Sequence, residues 1–194
     1  MDKRSGKQYR YINPELRAER EQDGPKIIKG YFAVFGPEYE LWPGCSESID
    51  PGAFDNTLGL DIRALWNHNP DIVLGRNQAS TLTLKVDSHG LYAEILINEK
   101  DSDALNAWAR VERGDVSQCS FGFAIIREEQ EARADGSWHF RLLEVELYEV
   151  SPCTFPAYKE TSISARAKEV KAIQKRQTDI WKANMKARIK NHGT

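Results

Sequence analysis

Cysteine is scarce in this sequence: Cys45, Cys119 and Cys153 are the only three in 194 residues, far apart and without paired spacing. That excludes a disulfide framework and the paired-thiol signature of a zinc site, and it points to a reducing, cytosolic setting. No apolar run approaches the length of a membrane span, and the leading Met1-Asp2-Lys3-Arg4 lacks the apolar core of a signal peptide. Neither a membrane role nor a cofactor is therefore expected. Histidine is nearly as rare, which confines any search for a general base to His68, His89, His139 and His192.

What is present is ordinary for a soluble globular chain, with 40% hydrophobic and 29% charged residues. The charge is unevenly spread. From Lys159 to Thr194 there are ten Lys/Arg against three Asp/Glu, whereas the rest of the chain has 17 against 26. An acidic body with a basic tail follows.

Residues 1–25 are polar, charged and broken by Asn13-Pro14 and Asp23-Gly24-Pro25, so they read as a loosely held arm. Ile27 to Phe35 is a strand pattern stopped by Gly36-Pro37. After a loop, Asp50-Pro51 suits the N-cap and first turn of a short helix. Asp61 to Trp66 is a further strand, running into Asn67-His68-Asn69-Pro70, where the proline is expected to stop further pairing. Leu82 to Val86 and Leu91 to Ile97 alternate cleanly around the turn Asp87-Ser88-His89-Gly90, which makes His89 a turn residue. Asp101 or Ser102 caps a helix with Leu105, Trp108 and Ala109 on its apolar stripe, ended by Gly114. Val116 to Ile126 is a strand, Glu128 to Gly136 a charged hairpin loop, and Trp138 to Val150 a long strand. Beyond Thr161 helix formers dominate, with a partial apolar stripe at Val170, Ile173, Ile180 and Trp181. Strands outnumber helices. The class expected is α+β, built on an antiparallel, barrel-like sheet with peripheral helices.

The strand around Ser120 is the chemical focus. Alternation sets Ser117, Cys119, Phe121, Phe123 and Ile125 on an apolar face, with Val116, Gln118, Ser120, Gly122 and Ala124 on the other. The small neighbours of Ser120 fit either open space beside its hydroxyl, where a substrate chain could pass, or a small residue facing a neighbouring element. A serine nucleophile needs a base and a group to orient that base. His192 lies in the tail and His89 in a turn, leaving His68, at a strand exit, and His139. Glu144, Glu146 and Glu149 are the carboxylates available as third member. Glu149 falls on the apolar row with Leu143, Val145 and Leu147, where a carboxylate must find a partner or shift its pKa. Cys119 adjoins Ser120 but points to the Phe121 face, where it is expected to be buried and inert.

The order of segments resembles the prohead maturation protease family of tailed bacteriophages, the type that processes an HK97-like capsid. The stretches that carry the resemblance begin with Gly30-Tyr-Phe-Ala-Val-Phe35, Glu47-Ser-Ile-Asp-Pro-Gly-Ala-Phe54 and Asn67-His68-Asn69 with Leu74-Gly75-Arg76. They continue with Gly90-Leu91, Gly114 before Ser120-Phe121-Gly122-Phe123, and Leu147-Tyr-Glu149-Val-Ser151 before Pro156-Ala157-Tyr158, so that the resemblance spans roughly residues 26–163. It implies the β-barrel fold of herpesvirus assembly proteases, residues 26–163 as a protease domain and 164–194 as a helical tail. It also implies Ser120 as nucleophile, His68 as base and Glu149 as third member, with His139 as the other candidate because the herpesvirus enzymes use a second histidine. The implied activity is serine endopeptidase cleavage of capsid precursor and of scaffold or delta segments, and of the chain itself, inside an immature shell in the bacterial host. Arg76 and Arg127 are candidate electrostatic helpers.

Three rival readings follow from the residues. The basic tail could bind nucleic acid, but it has no recognisable reading motif and equally fits a solvated helix or arm; the family resemblance implies docking on scaffold or capsid protein, or removal by autoproteolysis. A noncatalytic assembly or scaffold protein would keep the fold without the chemistry. A metal hydrolase on His68 and Asp71 lacks a second histidine at ligand spacing.

Overall fold

Alternating apolar residues build the two longest strands, Gln118–Ala132 (β10) and Trp138–Cys153 (β11), which pair antiparallel through nearly their whole length. The computed structural model describes residues 8–12, 16–20, 24–155 and the helical positions 175, 178, 179 and 182. The chain divides into two units, Met1–Tyr158 and Lys159–Thr194. In the first unit the other strands are Gln8–Ile12 (β1), Arg17–Arg20 (β2), Lys26–Val34 (β3), Tyr39–Trp42 (β4), Cys45–Ile49 (β5), Arg63–Trp66 (β6), Asn69–Arg76 (β7), Leu82–Val86 (β8) and Gly90–Leu96 (β9). Its helix is Ser102–Glu112 (α1), and a single 3-10 turn spans Asn77–Ala79. Of the second unit, the described positions Lys175, Thr178, Asp179 and Lys182 are helical, so the tail stripe at Val170, Ile173, Ile180 and Trp181 lies outside the described residues.

The strands form two open sheets. One runs β1-β10-β11-β5-β4, with β6 also on β11 and β7 on β6; the other runs β2-β3-β9-β8. The class is α+β and predominantly strand, but the sheet is mixed, because β5 and β6 both lie parallel to β11. The two sheets share a single core. Phe121 packs edge-on to Phe54 and stacks on Phe123, and the Cys119 thiol donates to the Tyr31 carbonyl of β3 at 3.0 Å. Asp101 caps α1 by accepting from Asp103 and Ala104, and Gly114, at φ +84, follows its C-cap Arg113. The buried stripe of α1 is Ala104, Ala107, Trp108 and Val111; of the expected stripe Trp108 is buried, Leu105 is half-buried against the core and Ala109 is exposed. Among the described residues no helix is long and apolar enough to cross a membrane.

Four expectations are corrected. The charged segment 1–25 is not simply an arm: β1 pairs with β10, β2 pairs with β3, and Leu16 is buried. Residues 51–60 form successive turns rather than a helix. Here the carbonyls of Asp50, Gly52, Phe54 and Thr57 each accept from the N–H three residues on. That of Ala53 is drawn away to Val145 N–H, and the Thr57 hydroxyl accepts from Leu147 N–H at 2.7 Å. These turns therefore fill the edge of β11 between β5 and β6. Pro70 does not end pairing: Asn69 faces Trp66 and Val73 faces Leu65, with Pro70 inside the intervening bulge, where its missing N–H is tolerated. Finally, Glu128–Ala132 belongs to β10, so only residues 133–137 remain between the long strands.

Candidate active site

The turn from β6 into β7 positions His68. Asn67 and His68 both have positive φ, +52° and +61°, as a tight two-residue hairpin turn demands. Non-glycine residues resist this conformation, so surrounding bonds must hold it. Asn67 N–H donates to the Pro152 carbonyl at 3.1 Å, and its side-chain oxygen accepts from Thr154 N–H at 2.8 Å. His68 N–H donates to the Ser151 hydroxyl at 3.3 Å. The turn is thereby fastened to the end of β11.

β11 presents Glu149, Ser151 and Cys153 on one face, by simple alternation. His68 Nδ1 lies 2.6 Å from Glu149 Oε1, and the Ser151 hydroxyl donates to Glu149 Oε2 at 2.5 Å. The Glu149 side chain is 1% exposed and the His68 side chain 15%. With Nδ1 donating to the carboxylate, Nε2 carries the imidazole lone pair. Nε2 has the Cys153 sulfur at 3.6 Å, and the ring packs on Tyr9 of β1 with centroids 4.3 Å apart. Burial, and then the Glu149 charge, pushes the Cys153 thiol up to about 12. It is a thiol donating to the Ser151 carbonyl at 3.4 Å, not a thiolate.

Ser120 sits one strand over, directly opposite Ser151 in the β10–β11 register and on the same face. Facing pairs place their Cβ atoms about 4.5–5.5 Å apart. The expected open space beside it is absent, because β1 runs along the other edge of β10. Ser120 is fully buried, and its hydroxyl donates to the Arg10 carbonyl at 2.8 Å rather than to His68.

The remaining candidates lie elsewhere. His139, near the start of β11, is ten residues from Glu149, about 30 Å along an extended strand. Its two ring nitrogens meet the hydroxyls of Ser46 and Ser48 at 2.8 and 2.9 Å. Glu144 accepts from Asn56 at 3.0 Å and lies 3.7 Å from Arg127, while Glu146 is hydrogen-bonded to Tyr148. Arg76 grips Asp61 with two bonds, at 2.6 and 2.8 Å, and so holds the carboxylate of Asp61 below its ordinary range. Asp71 is exposed beyond the turn. Among the described residues no group of three or more His, Cys, Asp or Glu side chains could hold a metal ion. Cys119 is buried on the Phe121 face, and burial raises its thiol well above the ordinary value. The sequence reading passed over Ser151 and Cys153, although two-residue spacing from Glu149 marks them as sharing its face. Tyr9 and Arg10 carried no comparable local signal.

Residues 13–176 match the family described as caudovirus prohead serine protease. The chain is 32% identical over 168 residues to the capsid polyprotein of Pseudomonas phage PAJU2, covering 84% of this chain and 22% of that protein. It is 29% identical over 160 residues to the prohead protease of Enterobacteria phage HK97, covering 80% of this chain and 66% of that one. The chain thus spans about a fifth of the first relative and just under two thirds of the second. No solved structure matches.

Proposed function

We infer that this chain, which belongs to the caudovirus prohead serine protease family, is a serine endopeptidase that cleaves capsid precursor and scaffold segments, and itself, during prohead maturation. Its nucleophile is Ser120, its base His68 and its third member Glu149. The observation that carries this reading is the 2.6 Å bond from His68 Nδ1 to the buried Glu149 carboxylate, one strand away from Ser120 on the same face. Glu149 holds the imidazole in the tautomer that leaves Nε2 basic, and it balances the positive charge the ring acquires. Ser151 is a positioning residue, since it supports both the carboxylate and the His68 backbone.

In the reaction, Ser120 Oγ attacks the peptide carbonyl while its proton passes to His68 Nε2. The imidazolium then returns that proton to the leaving amine, giving an acyl-enzyme, and water repeats the sequence to release the acid. The place of action is the immature prohead within the host cell. The partners are the capsid precursor and its scaffold segment, with further copies of this chain. One observation favours a second reading, a noncatalytic assembly protein: the Ser120 hydroxyl is buried and engaged by β1.

Intact mass after expression with the cognate capsid precursor separates the two. Processing that vanishes in Ser120→Ala and in His68→Ala supports the peptidase. Equal processing in wild type and Ser120→Ala removes Ser120 as nucleophile.

A further inference from the structure

The strand that covers Ser120 is laid down as a bound peptide would be. β1 pairs antiparallel with β10 at every position, from Gln8 opposite Phe123 to Ile12 opposite Cys119. Main-chain pairing to a sheet edge is a common way of holding an extended peptide, with side-chain pockets supplying the choice of sequence. Here the Arg10 carbonyl is the group that meets the Ser120 hydroxyl, and Tyr9 lies against the His68 ring.

Arg10 also supplies the side-chain contact. Its guanidinium is buried on the far face of β10, where Nη2 donates to Glu47 Oε2 at 2.8 Å and Nε donates to Glu47 Oε1. It lies 5.4 Å from the centre of the Phe123 ring. Two further bonds, to the Tyr9 carbonyl and the Gln8 side chain, are 2.9 Å each. Glu47 itself is 1% exposed. A cation matches a carboxylate this deep, and the two-pronged fit suits the planar guanidinium better than an ammonium.

We propose that the edge of β10 is a binding lane for an extended peptide, with Glu47 and Phe123 forming a subsite for an arginine side chain whose carbonyl is presented to Ser120. β1 occupies that lane in cis. The cleavage aspect rests on Ser120 being the nucleophile, whereas the binding aspect does not. Substrate segments enter when β1 is displaced, and those carrying arginine at this register are selected.

The test uses the full chain carrying Arg10→Ala, which weakens the hold of β1, and fluorescent peptides of residues 8–12 with either arginine or alanine at the third position. By anisotropy, the arginine peptide binds at least about tenfold more tightly than the alanine peptide, as loss of a charge-assisted two-pronged contact requires. Adding Glu47→Gln erases that difference. The full chain with Arg10→Lys, which keeps the buried charge but not the fork, gives the same ranking if Arg10→Ala fails to fold. Equal binding of the two peptides, or binding of neither, overturns the lane. Fluorophosphonate labelling followed by mass mapping is read alongside. Arginine-selective binding without labelling at Ser120 defeats the nucleophile and leaves the lane standing, while labelling without selectivity defeats the lane alone.

Discussion

Glu149→Gln is the perturbation that separates a catalytic carboxylate from a structural one. The buried carboxylate accepts from both His68 Nδ1 and the Ser151 hydroxyl. Glutamine keeps the shape but offers one oxygen and one NH2 group in place of two acceptors. If the NH2 faces His68, Nδ1 must accept, the ring proton moves to Nε2, and the base is lost. If it faces Ser151, the hydroxyl turns, but the imidazolium still lacks its countercharge. A wrong tautomer of this kind lowers turnover about 10⁴-fold, or about 5 kcal/mol of barrier. The fold should tolerate the change. Losing a charge-assisted bond costs about 1–3 kcal/mol, against which the relief of burying a charge is set. The assay is single-turnover processing of the capsid precursor, with thermal unfolding as the control for folding. A folded Glu149→Gln chain within about threefold of wild type, less than 1 kcal/mol of barrier, refutes the role given to Glu149, provided His68→Ala is inactive.

Glu38 is held down to about 2 by its hydrogen bonds to Arg133 and then Ser46. Its stabilising contribution is complete above its ordinary value of 4.5 and disappears as the pH falls toward 2, so Glu38→Gln should flatten the urea midpoint across that window. Cys119 and Cys153, both buried with raised thiols, should resist iodoacetamide in the native chain near neutral pH and react in urea. Counting adducts by mass reads this out, and thiol alkylation should leave peptidase activity intact. Thr57→Val strands the buried Leu147 N–H, so unfolding in denaturant should show a loss of about 1–3 kcal/mol.

The parts of the site that the sequence disclosed are those governed by local rules. Alternation along residues 143–149 set Glu149 on an apolar row, and a strand exit marked His68; the two meet in a hydrogen bond. The β8–β9 hairpin and the Asp101 cap were legible for the same reason, since turn and cap residues act within a few positions. What escaped depends on distant partners. The β-forming Tyr9, Tyr11 and Ile12 lie in a charged, proline-broken segment, and what fixes them as a strand is a pairing partner more than a hundred residues on, with Glu47 holding the buried arginine. The small residues flanking Ser120 suggested openness, whereas the space is taken by that distant strand. The helix expected after Asp50 fails because β11 competes for the Ala53 carbonyl and the Thr57 hydroxyl.

Along one edge of β11, β5 attaches at Trp138–Leu142, the turns at Val145 and Leu147, and β6 at Glu149–Val150. This strand therefore acts as a ruler whose parity matters more than its length. One residue added between Leu142 and Val145 would leave β5 seated but force every later side chain to change sides. Glu149 and Ser151 would then face away from His68, and Tyr148 would stand where the carboxylate had been. Two added residues would restore the sides while shifting the spacing. The chemistry of the site is thus written in odd and even positions, and substitutions along β11 are far safer than insertions.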